Sequence, residues 1–142
     1  REASQKTRYF PRTDKSELFA KGYIARHSGH SRGATVDLGL YQLQGDQAAT
    51  ISGKSSDGVC RRRFAEDRAA GLLDFGSDYD CFDQLSHTAH PGLSKVATQN
   101  RQTLVNAMAA QGFVNYDQEW WHFTFQPEPY PTVYFDFPIT ED

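Results

Sequence analysis

The clearest periodic pattern lies near the C-terminal third, where Val96, Leu104, Val105 and Met108 recur at helical spacing. Ser94 is placed to cap the start and Gly112 to end it, so the pattern predicts a helix over 94–111. Upstream, Asp14 followed three residues later by Glu17 has the form of a capping box. It predicts a short helix through Ala20, stopped by Gly22. Between Gly22 and Leu43, short β-type runs (Tyr23-Ile24, Thr35-Val36-Asp37-Leu38 and Leu40-Tyr41) alternate with small residues, predicting two strands joined by a Gly/Ser turn. Residues 119–125, Glu-Trp-Trp-His-Phe-Thr-Phe, are dense in aromatics and β-formers and predict another strand. Residues 1–12 are polar and basic up to Pro11 and predict an irregular tail. Pro127, Pro129, Pro131 and Pro138 do the same for the other end. Residues 44–71 carry Gly, Ser, Asp and Arg with little periodicity, which predicts an excursion from the core over roughly 45–72. No internal repeat is visible. The sum is an α+β domain spanning 1–142, with a small, mainly antiparallel sheet and flanking helices.

Composition narrows the function classes. The chain has 142 residues and a net charge of −3 from 15 basic and 18 acidic side chains, a size that suits one domain with a sizeable core. Mean hydropathy is −0.68, and no apolar run is long enough to cross a bilayer. The charge is too small and too mixed for the basic face of a nucleic-acid binder. Arg61-Arg62-Arg63 is followed by Glu66 and Asp67 and reads as a solvated loop. Cys60 and Cys81 form no zinc-finger pattern. Their even number permits one disulfide, closing a loop of roughly twenty residues and worth ~3 kcal/mol in the chain-entropy model. That pairing implies an oxidising compartment such as a periplasm; two separate thiols in a cytosolic protein are the other reading.

Two clusters could carry chemistry. Residues 28–37 read Ser-Gly-His-Ser-Arg-Gly-Ala-Thr-Val-Asp, and residues 119–122 read Glu-Trp-Trp-His. Together they offer two imidazoles and two carboxylates, the inventory of a catalytic zinc site with three protein ligands, a water and a base. His30 and Asp37, with Gly33 between them, can converge from a turn and the strand after it, and His122 can close the triad from a separate strand. Glu119 would then be the general base. One geometric difficulty stands: Glu119 and His122 are three apart and would face opposite sides of a regular strand. The assignment needs Glu119 at the start of the strand, or a bulge or twist. Taken singly, each residue has a commoner structural role. A lone His is more often structural than a ligand, Trp120 and Trp121 are core or pocket wall, and Glu119 alone is a solvated strand-end charge.

The two motifs together resemble the zinc D-alanyl-D-alanine dipeptidases of the VanX type, within the superfamily that includes D,D-carboxypeptidases and the hedgehog signalling domain. Lys21-Gly22-Tyr23, Leu38 to Tyr41, Gln99-Asn100-Arg101, Glu128-Pro129-Tyr130-Pro131 and Tyr134-Phe135-Asp136-Phe137-Pro138 look like the same family. The resemblance implies a hedgehog/D,D-peptidase-like fold, one zinc ion (Zn2+) per chain on His30, Asp37 and His122, and Glu119 as catalytic base. It also implies that Ser28 and Asp80 hold the substrate's free amino terminus. A backbone-bonding turn serine is the alternative for Ser28, and a solvated loop acid for Asp80. Arg32 is read as a structural salt link rather than an oxyanion partner. His27, His87 and His90 match no ligand position.

The implied reaction is hydrolysis of D-alanyl-D-alanine to two D-alanines, in cell-wall turnover or glycopeptide resistance. The alternatives are a D,D-carboxypeptidase acting on longer peptidoglycan peptides and a non-catalytic, hedgehog-like zinc domain; Glu119 favours catalysis. Family members carry an Asp-Gly-Tyr-Arg-Pro motif before the first zinc motif, and its arginine steadies charge on the scissile carbonyl. This chain has no such motif. The expectation is an N-terminal segment of the same gene product supplying that arginine, with the protein in the bacterial periplasm.

Overall fold

Three short antiparallel strands organise the computed structural model, which describes residues 2–42, 60 and 71–138. They are β1 (Thr35–Asp37), β2 (Phe113–Asn115) and β3 (His122–Phe125), in the order β1-β3-β2. Thr35 pairs with Thr124 and Asp37 with His122 across β1 and β3, while Asn115 pairs with Phe123 across β2 and β3. Helix α1 (Glu2–Tyr9) opens the chain, and α2 (Lys95–Ala109) leads into β2. The architecture is the expected α+β arrangement with a small antiparallel sheet.

Helix α2 forms as its caps foretell: the Ser94 hydroxyl accepts from the Ala97 amide, and Gly112 takes the left-handed conformation at φ 83°. Its inward residues are Ala97, Arg101 and Leu104, whereas Val96 is exposed. Leu104 joins Phe75, Trp120, Trp121 and Phe123 in the core, with Leu38, Leu40, Leu72 and Met108 packed around them. Phe75 and Trp120 stack with ring centroids 4.1 Å apart. Arg101 is buried as deeply as this core. Its guanidinium donates to the carbonyls of Phe75 (2.7 Å), His87 (2.6 Å) and Leu85 (3.0 Å), and to the Ser77 hydroxyl (3.4 Å).

Several sequence expectations are corrected. Residues 2–9 are helical rather than irregular; the basic last turn at Lys6 and Arg8 suits the helix dipole. The predicted helix from Asp14 is a single 3₁₀ turn, Lys15–Glu17, in which the Asp14 side chain makes no cap hydrogen bond. Tyr23 and Ile24 are not a strand, because both amides turn back to the Leu18 carbonyl. Leu40 and Tyr41 pair instead with 71–73: Leu73 donates to Leu40, Gln42 donates to Gly71, and Tyr41 bridges Leu72. Leu72 therefore belongs to the core margin and not to an excursion. The remainder of that predicted excursion, including the Arg61-Arg62-Arg63 run, lies outside the described residues apart from Cys60. Residues 119–121 form a turn, and β3 starts at His122. Cys60 and Cys81 are disulfide-bonded, with Cα atoms 5.5 Å apart. No helix among the described residues is long and apolar enough to cross a membrane.

Candidate active site

The first cluster folds as a 3₁₀ turn, Gly29–Arg32, running into β1. The Ser28 hydroxyl accepts from the His30 amide, and Gly33 ends the turn at φ 76°. Gly29 permits close approach, since a Cβ there would lie 2.9 Å from the Thr35 hydroxyl. The turn brings His30 Nδ1 to 3.2 Å from the Thr35 carbonyl. A carbonyl only accepts, so Nδ1 carries the proton and Nε2 presents a lone pair to the cavity. The turn is tied from outside by Arg32, whose guanidinium forms a two-point pair with Glu128 at 2.5 and 2.8 Å. Arg32 is thus the structural salt link expected of it.

The second cluster folds as a turn between β2 and β3. The Asn115 side-chain amide donates to the carbonyls of Glu119 (3.1 Å) and His122 (3.0 Å), and the Tyr116 amide donates to the His122 carbonyl. Glu119 therefore precedes the strand and is free of its alternation. Its Oε2 lies 3.4 Å from His122 Nδ1. The sequence difficulty about opposite faces is resolved by the first of the two routes foreseen, a carboxylate at the start of the strand.

The β1–β3 register sets Asp37 opposite His122. Asp37 Oδ1 lies 3.0 Å from His122 Nδ1 and 3.4 Å from His30 Nε2. One donor atom from each of the three residues falls within 4.8 Å of the others, and this is the one such His/Cys/Asp/Glu group among the described residues. Tetrahedral coordination at about 2.0–2.2 Å separates neighbouring donors by roughly 3.3 Å. Asp37 Oδ1 is also buried without a hydrogen-bond partner, which is costly for a carboxylate oxygen unless a cation completes it. Two imidazoles, one carboxylate and an orphaned oxygen fit a divalent cation.

These groups border a cavity of about 770 Å³ that Ser28 and Asp80 also line. Asp80 adopts a left-handed φ of 60° immediately before the disulfide at Cys81. Glu119 is 6% exposed, and burial pushes its carboxyl up to about 7, helped by Asp37 and Asp80 and opposed by His122. His27 lines the cavity and packs on Tyr134. His87 lies away from it, within 3.1 Å of the Tyr23 hydroxyl, and the His90 ring accepts from the Gly92 amide. Sequence reasoning missed Tyr79 and Tyr116, which also wall the cavity. Tyr79 donates from its hydroxyl to Asp37 Oδ2 at 3.1 Å, and burial raises its pKa, so it stays a donor. The one signal for it was its position beside Asp80.

Residues 52–140 match the profile of a peptidase M15 family described as D-ala-D-ala dipeptidase. The chain belongs to that family. It is 38% identical over 134 residues to a D-alanyl-D-alanine dipeptidase of Streptomyces coelicolor, covering 94% of this chain and 54% of the relative. A D-alanyl-D-alanine dipeptidase of Enterococcus faecium is 37% identical with the same coverages. One from Escherichia coli is 31% identical over 75% of this chain and 42% of its own length. The chain spans about half the length of the first two relatives.

Proposed function

We propose that this site hydrolyses D-alanyl-D-alanine to two D-alanines, with about one zinc ion per chain held by His30, Asp37 and His122. The observation that carries the reading is the orphaned Asp37 Oδ1, set between two imidazole nitrogens with a buried carboxylate beside them. The substrate comes from the relatives, each of which is named a D-alanyl-D-alanine dipeptidase. When bound, zinc supplies a Lewis acid that polarises the peptide carbonyl and acidifies a water molecule.

Glu119 takes a proton from the attacking water and passes it to the leaving amine as the peptide C–N bond breaks. Burial strengthens its carboxylate as a proton acceptor, and a cation bound beside it would draw the pKa back down. The Thr35 carbonyl holds the His30 ring in the tautomer that leaves Nε2 unprotonated. Asp80 supplies negative charge for the ammonium of the dipeptide, and the Ser28 hydroxyl, which also lines the cavity, accepts from it. A role in peptidoglycan turnover or glycopeptide resistance follows from the substrate. The Cys60–Cys81 bond supports an oxidising compartment such as the periplasm.

Elemental analysis tests the ligand set: the purified protein carries about one zinc, and His122→Ala lowers that content. Unchanged stoichiometry removes His122 from the ligands. Release of D-alanine from D-alanyl-D-alanine tests the base. Glu119→Ala abolishes turnover while zinc content stays near that of the parent, and unimpaired hydrolysis by the variant overturns the assignment.

A further inference from the structure

Asp37 has two carboxylate oxygens with different fates. Oδ1 faces His30 and His122 and has no hydrogen-bond partner. Oδ2 accepts a hydrogen bond from the Tyr79 hydroxyl, 3.1 Å away. We infer that Tyr79 is a positioning residue for the metal site, fixing Asp37 so that it offers one oxygen and not two.

The tyrosine is itself held from several sides. Its ring meets the buried Trp121 edge-on, with centroids 5.5 Å apart. Trp121 is tied in turn to the end of β1, because its carbonyl accepts from the Leu38 amide at 3.0 Å. Donor and acceptor of the Tyr79–Asp37 bond therefore share one rigid support. The backbone around Tyr79 is pinned as well. The Asp78 amide donates to the Cys60 carbonyl at 2.6 Å, and Cys60 is bonded to Cys81 two residues beyond Tyr79. Tyr79 is 41% exposed, and its ring contact with Trp121 and its pinned backbone limit how far the phenol can follow a rotating carboxylate.

The chemistry gives that constraint a consequence. A carboxylate free to turn about its Cβ–Cγ bond can offer both oxygens to a cation, raising its coordination number and taking the place a water needs. Occupying Oδ2 with a donor prevents this and keeps a position open, the condition for a catalytic rather than a closed site.

This inference rests on the reading that His30, Asp37 and His122 hold the metal, and the experiment separates the two. Metal-free protein is titrated with zinc, and separately with cobalt, for the parent, Tyr79→Phe and Tyr41→Phe. The last changes an exposed tyrosine outside the cavity. Tyr79→Phe keeps the ring against Trp121 and deletes the donor alone. The expected result is a loss of zinc affinity of about 10–100-fold in Tyr79→Phe. The visible cobalt spectrum shifts toward that of a higher coordination number, and Tyr41→Phe matches the parent. The urea midpoint of metal-free Tyr79→Phe stays at the parental value. Parental affinity together with a parental cobalt spectrum overturns the inference, as does a loss of affinity matched by general unfolding of the metal-free variant. Failure of the parent itself to bind zinc refutes the underlying ligand set instead.

Discussion

Replacing Arg101 by methionine removes a buried cation and strands the groups it serves. Arg101 is 1% exposed, and its donors reach three backbone carbonyls, those of Phe75, Leu85 and His87, besides the Ser77 hydroxyl. A methionine side chain would fill similar volume with apolar atoms but donate nothing. Each buried carbonyl left without a partner costs about 1–3 kcal/mol. Set against this is the cost of burying the guanidinium, visible in the pKa that burial pulls down to about 9, with Asp74 acting the other way. That desolvation is recovered when the charge is removed, so the net loss lies below the sum of the bonds, at about 3–5 kcal/mol.

Urea unfolding followed by far-UV circular dichroism measures it. With a slope of about 2 kcal/mol per molar urea, the midpoint of Arg101→Met falls by about 2 M. Arg101→Lys recovers only a minor part, because a single ammonium cannot span carbonyls on both sides of the 75–87 segment. A loss below about 1 kcal/mol for Arg101→Met would refute the reasoning, since it would mean that the carbonyls have other donors at hand.

Two further outcomes follow from pairs elsewhere. The carboxyl of Asp83 is pushed up by burial, but hydrogen bonds from Arg12 and the Leu85 amide outweigh this and hold it below the usual carboxylate range. A carboxyl depressed by folding contributes stability above its unfolded pKa and loses it as pH falls through the folded value. Arg12→Gln leaves burial opposed mainly by one amide, so the folded pKa rises and the acid-unfolding midpoint moves to higher pH; an unmoved midpoint contradicts the pairing. Reducing Cys60–Cys81, whose sulfurs close a sequence separation of 21, lowers stability by about 3 kcal/mol. Thermal unfolding with and without reductant reads it, and an unchanged Tm would show that the reduced chain is equally constrained.

What was legible in the sequence is what side chains announce locally. Ser94 and Gly112 bound α2 because capping chemistry acts within a few residues. The donor residues His30, Asp37 and His122, with Glu119, were legible as motifs, and the two tryptophans as core. Strand limits were not, because strands of three or four residues offer at most two side chains to each face, too few to establish a period. Strand β2 shows the problem: Val114 faces solvent and its neighbours are only half buried. Leu40 and Tyr41 look like partners for the nearby Tyr23 segment, yet they pair with residues some thirty positions on, a choice fixed by the tertiary core around Leu72. Tyr79 carried no signal but its place beside Asp80 for the same reason, since its contact is a hydrogen bond to a residue 42 positions away.

A sheet this small cannot by itself hold three donor atoms to within tenths of an ångström, so the precision must come from what ties its ends. Asp37 and His122 need least help, being directly paired across β1 and β3. His30 lies outside the sheet, and its place depends on the 3₁₀ turn that Ser28 caps and that Arg32 fastens to Glu128. Glu119 lies outside it too, and depends on Asn115 reaching across the turn to two carbonyls. The segment bearing Tyr79 and Asp80 has no regular structure at all; it is held by the disulfide at Cys81, the Arg12–Asp83 pair and the carbonyls gathered by Arg101. Each such tie is a polar or covalent bond rather than apolar packing. Directional bonds fix orientation where hydrophobic burial fixes only proximity, and a site whose donors come from turns as much as strands requires the former.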